Sequence, residues 1–398
     1  MRPALSDPAF YAGDPYPAYT WLREHDPVHR HEVGDFWALS RHADVAAVSR
    51  DPQTFVSSQG VLLVDRGRPI MAADSILYLD PPRHVRYRRL VGPVFTGRAV
   101  LNVEQRIRAL TAEVLDALDP TQPVDAVESI AAQLPLLVIA ELLGVPASDR
   151  GRFRVWSDAV IAAATELTED NVTKAMGLIH YFAAALDERR MTPRTDLLSS
   201  LLDAEVDGER LTTEEVLGFC MTLLVAGNET TRTAIAGGLE VLAQHPDQRA
   251  ALVADTSLLP GAVEEILRWV TPIQLFGRTA ARDVDMHGRT IRAGDFVVLL
   301  YAAANRDPEV FGADADRFDV RREIGPHLAF GTGEHFCLGA SLARLEIRVL
   351  LEELLARWPA YEVAGPVPYL ASTLVRCPAT LPLALDASAM SRSRSADQ

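Results

Sequence analysis

The chain has 398 residues, 48% hydrophobic and 23% charged, with 39 basic against 54 acidic side chains and a formal net charge of −15. These fractions fit a globular protein with a large core, and the acidic balance argues against general nucleic-acid binding, which needs a basic surface. Three cysteines, Cys220, Cys337 and Cys377, offer no disulfide framework and fit a reducing compartment.

The first residues, Met1-Arg2-Pro3-Ala4-Leu5, carry no apolar run after their charge, so no secretory leader is expected. No stretch of about 18 uncharged apolar residues exists, so no membrane anchor is expected and a cytoplasmic location is. Pro15, Pro17 and Pro27 punctuate short helices, and Phe36–Ser40 reads as a strand. Residues 57–79 form a long Gly- and Ser-containing loop, a kind of segment that often carries function.

Helical patterns follow over 98–118, 124–143, 148–166, 171–190 and 196–203. The longest runs over 211–244. Thr212 with Glu215 makes a capping box at its start, and Pro246 marks its stop. At 1.5 Å per residue it spans roughly 50 Å, enough to cross a whole domain. A further helix covers 257–270. Short β-type runs at Val284–His287, Thr290-Ile291 and Phe296–Leu300, separated by Gly288 and Gly294, predict a small sheet. Residues 301–336 are loop-rich, and a last helix covers 338–357. Residues 388–398 are polar and Ser/Arg-rich, which predicts a frayed tail. No repeat or linker divides the chain. The expectation is one mainly α domain with small β sheets over residues 1–387.

The chemistry concentrates in Phe330-Gly331-Thr332-Gly333-Glu334-His335-Phe336-Cys337-Leu338-Gly339. Glycines permit positive φ and close backbone approach. The start of a helix offers free N–H groups and a positive dipole end, which favour a thiolate over a thiol. A lone cysteine beside a Gly-rich turn is usually structural. Here F-G-x-G-x-H-x-C-x-G constrains six of ten positions, and the segment closely resembles the haem-binding loop of the cytochrome P-450 family. Zinc is a poor rival, because no second Cys/Cys or Cys/His cluster lies at a usual spacing.

The resemblance implies the P-450 fold, with haem b (iron protoporphyrin IX) between the long helix and the cysteine helix. Cys337 becomes its axial ligand. Phe330 packs on the sulfur side, N–H groups near Leu338 and Gly339 bond the sulfur, and His335 meets a propionate. Further matches follow in the family's order. Glu265 and Arg268 sit at i and i+3 on one helix face. In the family such a pair is buried and completed by a later arginine, for which Arg317 is the candidate. Asp80-Pro81-Pro82-Arg83-His84 opens a helix on which His84 and Arg88 share a face. These residues, with Arg278, would hold the propionates. Asn305-Arg306-Asp307-Pro308 and Phe311 also match.

On the long helix, Leu224-Val225-Ala226-Gly227-Asn228-Glu229-Thr230-Thr231 breaks an apolar pattern with a glycine and polar residues. By resemblance, Ala226 and Gly227 leave room for O2, the helix is locally distorted, Thr230 steadies the oxygen and Glu229 relays protons. Asn228 stands where many bacterial relatives carry His. The implied activity is insertion of one oxygen atom from O2 into a hydrophobic terpene, steroid, fatty acid or polyketide-type metabolite. Val61, Leu62, Ile76, Leu77, Val225, Ile273, Leu275, Phe276 and Leu374 are candidates for the pocket wall.

No flavin domain fits in the chain, so the resemblance implies electrons from a ferredoxin with its reductase, delivered to a monomer. Arg83, Arg86, Arg89, Arg344 and Arg348 are candidates for a basic docking face toward that acidic partner. Three other readings stay open: a peroxide-driven oxygenase, which typically lacks the Glu229–Thr230 pair; a haem sensor, which usually carries an output domain; and a thiol enzyme using Cys337 with His335, which needs an orienting acid and an oxyanion site.

Overall fold

In the computed structural model, residues 3–68, 70, 74–163 and 168–386 are described, except for the side chains of 161–163. The expected tail at 388–398 and the end of the helix expected over 148–166 lie outside the described residues.

The long helix is one continuous element, Thr213–Gln244, of 32 residues. Its start is built as the sequence predicts. The Thr212 hydroxyl accepts from Glu215 N at 3.1 Å, and the Glu215 carboxylate accepts from Thr212 N at 2.9 Å. These bonds satisfy N–H groups that have no intrahelical partner. Its first half packs on Gln133–Leu142 and Glu169–Met191 in a core that includes Phe153, Phe182, Leu186 and Leu224. Its second half is buried on nearly every face. There it meets the helices Leu259–Val270 and Ala340–Arg357. Gly237 and Gly238 explain the close approach: a Cβ on them would meet Val270 at 2.8 Å and Ile266 at 2.9 Å.

A five-stranded sheet stands beside the helices, in the order Val28–His31, Phe36–Leu39, Phe296–Leu300, Leu275–Ala280, Phe55–Val56. Only Phe36–Leu39 with Phe296–Leu300 is a parallel pair among these. Both strands are buried along their whole length, as their unbroken apolar sequence requires. The sequence reading missed Leu275–Ala280 and the helix Pro246–Ala254. Gly277 and Arg278 disguise the strand. Pro246 both stops one helix and opens the next, where a missing N–H costs nothing. The helix expected over 98–118 is broken into Gly97–Leu101 and Glu104–Asp116. The one expected over 124–143 is reduced to a short strand, a π turn and Gln133–Leu142.

Candidate functional site

The cysteine loop is held from two sides. Asn305 is fully buried, and its side chain donates to Thr271 Oγ1 at 2.9 Å and accepts from Leu328 N at 2.6 Å. It thereby ties the end of Leu259–Val270 to the approach of the loop. Gly333, at φ +74°, lies against the backbone of Ser49 and Arg50, where any side chain would collide. Cys337 N donates to Phe330 O at 2.9 Å, closing the loop on itself. The Phe330 ring is capped by the Arg344 guanidinium at 4.5 Å. Glu264 anchors that arginine with bonds of 2.6 and 2.8 Å, and also accepts from His327 at 3.0 Å. Burial works against the Glu264 charge, but the hydrogen bonds from Arg344 and His327 prevail and hold its carboxyl at about 2.

Two opposed influences act on the sulfur of Cys337. Burial pushes the thiol up, while the Gly339 N–H and the Arg88 and Arg344 guanidiniums pull it down, and burial wins. The Gly339 N–H at the start of the helix Ala340–Arg357 pulls toward the thiolate, as the sequence predicts, but burial outweighs it, and a metal taking up the charge would favour the thiolate further.

Beside the sulfur stands a group of basic side chains whose nearest carboxylate, Glu334, reaches only to 3.9 Å from His84. His84 and Arg88 lie one turn apart on the helix Arg83–Val91, and Arg278 comes from the strand Leu275–Ala280. The rings of His84 and His335 are 4.2 Å apart. His84 is 1% exposed and neither of its ring nitrogens has a hydrogen-bond partner. Arg278 is also buried, and its one hydrogen bond among the described residues goes to the Gly277 carbonyl. Burial, with Arg88 and Arg278 nearby, drives His84 down to about 4. Burial, Arg278, His84 and Arg88 drive His335 to about 2. Buried polar atoms are normally bonded, so this cluster has the donor set for one or two carboxylates. It fits the propionates of a haem, with the sulfur as its metal ligand. His335 is also oriented by Ser57 Oγ at 3.2 Å, and Ser57 N is in turn fixed by Asp80.

On the long helix the Thr230 hydroxyl donates to the Ala226 carbonyl at 2.7 Å. Ala226 is exposed in the middle of a packed helix, and Asn228 is buried with its carbonyl oxygen unpartnered. Gly227 serves a different end from the one expected. A Cβ there would meet Ile139 at 3.1 Å, so it permits packing on Gln133–Leu142, and the side turned to open space is that of Ala226. The helix runs as one α element through this stretch, with the Thr230 hydroxyl bonded to the carbonyl one turn back. Glu229 is held by Arg232 at 3.4 Å, a partner the sequence reading missed.

Glu265 and Arg268 are fully buried and paired through two bonds of 2.7 and 2.8 Å. Arg268 also donates to the carbonyls of Asn305, Ala315 and Arg317. The third cation of this network is not Arg317. That side chain is exposed and only its backbone takes part, whereas Arg322 Nε reaches Glu265 at 3.3 Å. The intervening turns at Asp314–Asp319 decide which arginine points inward, and no periodicity announces them.

The proposed pocket residues are scattered. Leu275 belongs to the core with Leu5, Tyr11 and Phe36, because strand alternation sends it to the face opposite Phe276. It does not join a pocket with Phe276. Val61 is buried, and its carbonyl accepts from Gly277 N at 2.7 Å. Leu62, Ile76, Leu77, Val225, Ile273, Phe276 and Leu374 are each partly exposed. Ile273 pairs with Val375 in a β-bridge, and the Leu374 carbonyl accepts from Gln274 N, so these two segments adjoin. Cys377 and Cys220 are each buried in one of the two large cores.

This helical fold, with a glycine-bounded cysteine beside buried cations, is that of a haem-thiolate protein. The family model for cytochrome P450 matches residues 163–360. Vitamin D(3) 25-hydroxylase from Pseudonocardia autotrophica is 41% identical over 382 residues, covering 94% of each chain. Cytochrome P450 CYP109Q5 from Chondromyces apiculatus superposes with a TM-score of 0.88 at 40% identity, covering 97% of this chain and 98% of that one. CYP109E1 from Bacillus megaterium, solved in complex with testosterone, gives 0.85 at 33% identity over 94% of this chain and 100% of that one. The chain belongs to the cytochrome P450 family and is a monooxygenase of that family, with a haem-thiolate cofactor. Among the described residues no helix is long and apolar enough to cross a membrane.

Proposed function

We propose that this protein hydroxylates a rigid hydrophobic metabolite of steroid or secosteroid size, using O2 and electrons from a ferredoxin, as a single domain over residues 1–387 in the cytoplasm. The observation that carries the site assignment is the buried basic cluster of His84, Arg88, Arg278 and His335 beside the Cys337 sulfur, in which both ring nitrogens of His84 lack a hydrogen-bond partner. Support for the substrate class comes from the vitamin D(3) hydroxylase and from the testosterone complex of CYP109E1.

The haem supplies O2 activation and oxygen insertion when bound. Cys337 would hold its iron, and the Gly339 N–H with Arg88 and Arg344 would temper the sulfur charge. His84, Arg88, Arg278 and His335 would hold its carboxylates, whose charge would offset that of these bases. The Thr230 hydroxyl keeps its proton and donates a hydrogen bond to the Ala226 carbonyl, and it would serve as a donor toward O2 in the haem-loaded protein. Glu229 is the acid next in sequence, and Arg232 lies against it at 3.4 Å. The presence of this acid–alcohol pair favours the O2 reading over a peroxide-driven one. Glu265, Arg268 and Arg322 hold the cysteine loop without touching substrate.

The test is a titration of the haem-loaded protein with testosterone, vitamin D(3), palmitate and a monoterpene, followed by turnover with ferredoxin, reductase and NADPH. The proposal expects a spin-state change and a hydroxylated product with a sterol-type ligand. A response confined to palmitate or the monoterpene would overturn the substrate class.

A further inference from the structure

Gly218, Thr222, Ala226 and Thr230 are spaced four residues apart, so they form a stripe on one face of the long helix. Gly218 and Ala226 are exposed and both threonines are half-buried, whereas Phe219, Cys220, Leu224 and Asn228 beside them are buried. The stripe is therefore an open side of a packed helix. The proposed reaction uses Ala226 and Thr230. It gives no task to Thr222, which stands one turn earlier, about 6 Å along the helix from Ala226.

Thr222 has a partner from a distant part of the chain. Ser75 Oγ lies 3.0 Å from Thr222 Oγ1. Ser75 belongs to the loop that the sequence marks over 57–79. Asp74 before it is turned outward and pairs with Arg83 at 2.9 Å, and the apolar Ile76 and Leu77 follow it. Ile76, Met221 and Leu223 pack against the same apolar core. Two hydroxyls thus meet in apolar surroundings, and their protons can be placed. The Thr222 hydroxyl donates to the Gly218 carbonyl at 2.9 Å. Its single proton is used there, so Ser75 is the donor within the pair. Leu77 N reaches Ser75 Oγ only at 3.5 Å, too far for a good bond. The Ser75 oxygen is left with free lone pairs and no proton to give. An acceptor in that state is completed by a donor.

We propose that Ser75, positioned by Thr222, determines specificity by accepting a hydrogen bond from a hydroxyl group on the substrate. The substrate is thereby an alcohol on a hydrophobic skeleton rather than a bare hydrocarbon or a ketone. A skeleton tethered at Ser75 extends along the open side of the helix toward Ala226 and Thr230. A site built to bond a hydroxyl rejects the analogue without it far more strongly than a missing methylene, because its own polar atom is then left unpaired. The tether rests on the substrate site proposed above, and it does not require the skeleton to be a steroid.

The test is equilibrium titration of the haem-loaded protein, followed by spin-state change and by calorimetry, with two series of ligands. Androstanol, androstanone and androstane share one skeleton and bear a hydroxyl, a ketone or neither. Dodecanol and dodecane make the same comparison on a flexible chain. Wild type is expected to bind an alcohol about tenfold more tightly than its hydrocarbon, and androstanol more tightly than androstanone. Ser75→Ala should bring the alcohol-to-hydrocarbon ratio to within about twofold of unity, and Ser75→Thr should keep it. Thr222→Val frees the Ser75 proton, so androstanone should then bind as tightly as androstanol. Every variant should keep the haem content of wild type. A Ser75–Thr222 pair that only ties the loop to the helix would weaken alcohol and hydrocarbon alike, and an unchanged ratio in Ser75→Ala would overturn the proposal. So would a wild type that prefers neither alcohol to its hydrocarbon. A preference held for dodecanol with no steroid bound would support the tether and overturn the steroid-sized class instead.

Discussion

Thr230 shows how one hydroxyl can serve both helix and reaction. Its bond to the Ala226 carbonyl is a side-chain-to-backbone bond of the kind that competes with the helix ladder. Releasing it therefore costs little. Thr230→Ala should retain full haem content and substrate binding, yet divert most reducing equivalents to hydrogen peroxide, measured as peroxide formed per NADPH consumed. Product yield equal to wild type would remove Thr230 from the proton path. At Glu229, the 3.4 Å bond to Arg232 makes a second prediction. Arg232→Gln should leave the substrate spectral shift in place and change the pH profile of turnover, and an identical profile would show that the pair is only structural.

The buried Glu265–Arg268 pair makes the helix Leu259–Val270 and the segment carrying Arg322 one rigid support for the cysteine loop. Removing one partner of a buried ion pair leaves an uncompensated charge and costs about 3–5 kcal/mol, so Arg268→Ala should fail to retain haem. The corrected assignment of the third cation is separable. Arg322→Ala, which strips bonds from Glu265, Asp314 and Phe311, should lose roughly 1–3 kcal/mol in denaturant unfolding. Arg317→Ala should stay within about 0.5 kcal/mol of wild type. Equal effects would contradict the network described.

Legibility in the sequence followed physical range. The long helix was readable because Thr212, Glu215 and Pro246 punctuate it locally, and the cysteine loop because glycine, histidine and cysteine types recur at short spacing. Arg322, Arg232 and the inward side of Leu275 were not readable. Each depends on how a turn or a strand is rotated against a neighbour distant in sequence, and no local pattern encodes that rotation. Gly227 was read as space for O2, when it is a contact with Ile139.

At the scale of the whole molecule, the basic cluster links haem binding to stability. His84 titrates near 4 in the folded protein against 6.5 unfolded. The unfolded chain therefore binds the proton first, and stability is lost as pH falls from about 6.5 toward 4, on the order of 1–3 kcal/mol. The haem-free protein should show this loss in thermal unfolding. The haem-loaded protein should show less, because propionates favour the charged histidine. The same slope in both forms would place the carboxylates elsewhere.

The account rests on the bond from Cys337 to iron. The direct measurement is the absorbance of the purified, reduced protein under carbon monoxide, compared with Cys337→Ser. Wild type is predicted to show the red-shifted Soret band of thiolate ligation, and the variant to lose it while His84, Arg88 and Arg278 still retain some haem. A wild-type band at the position of histidine-ligated haem, or an unchanged band in the variant, would contradict the assignment.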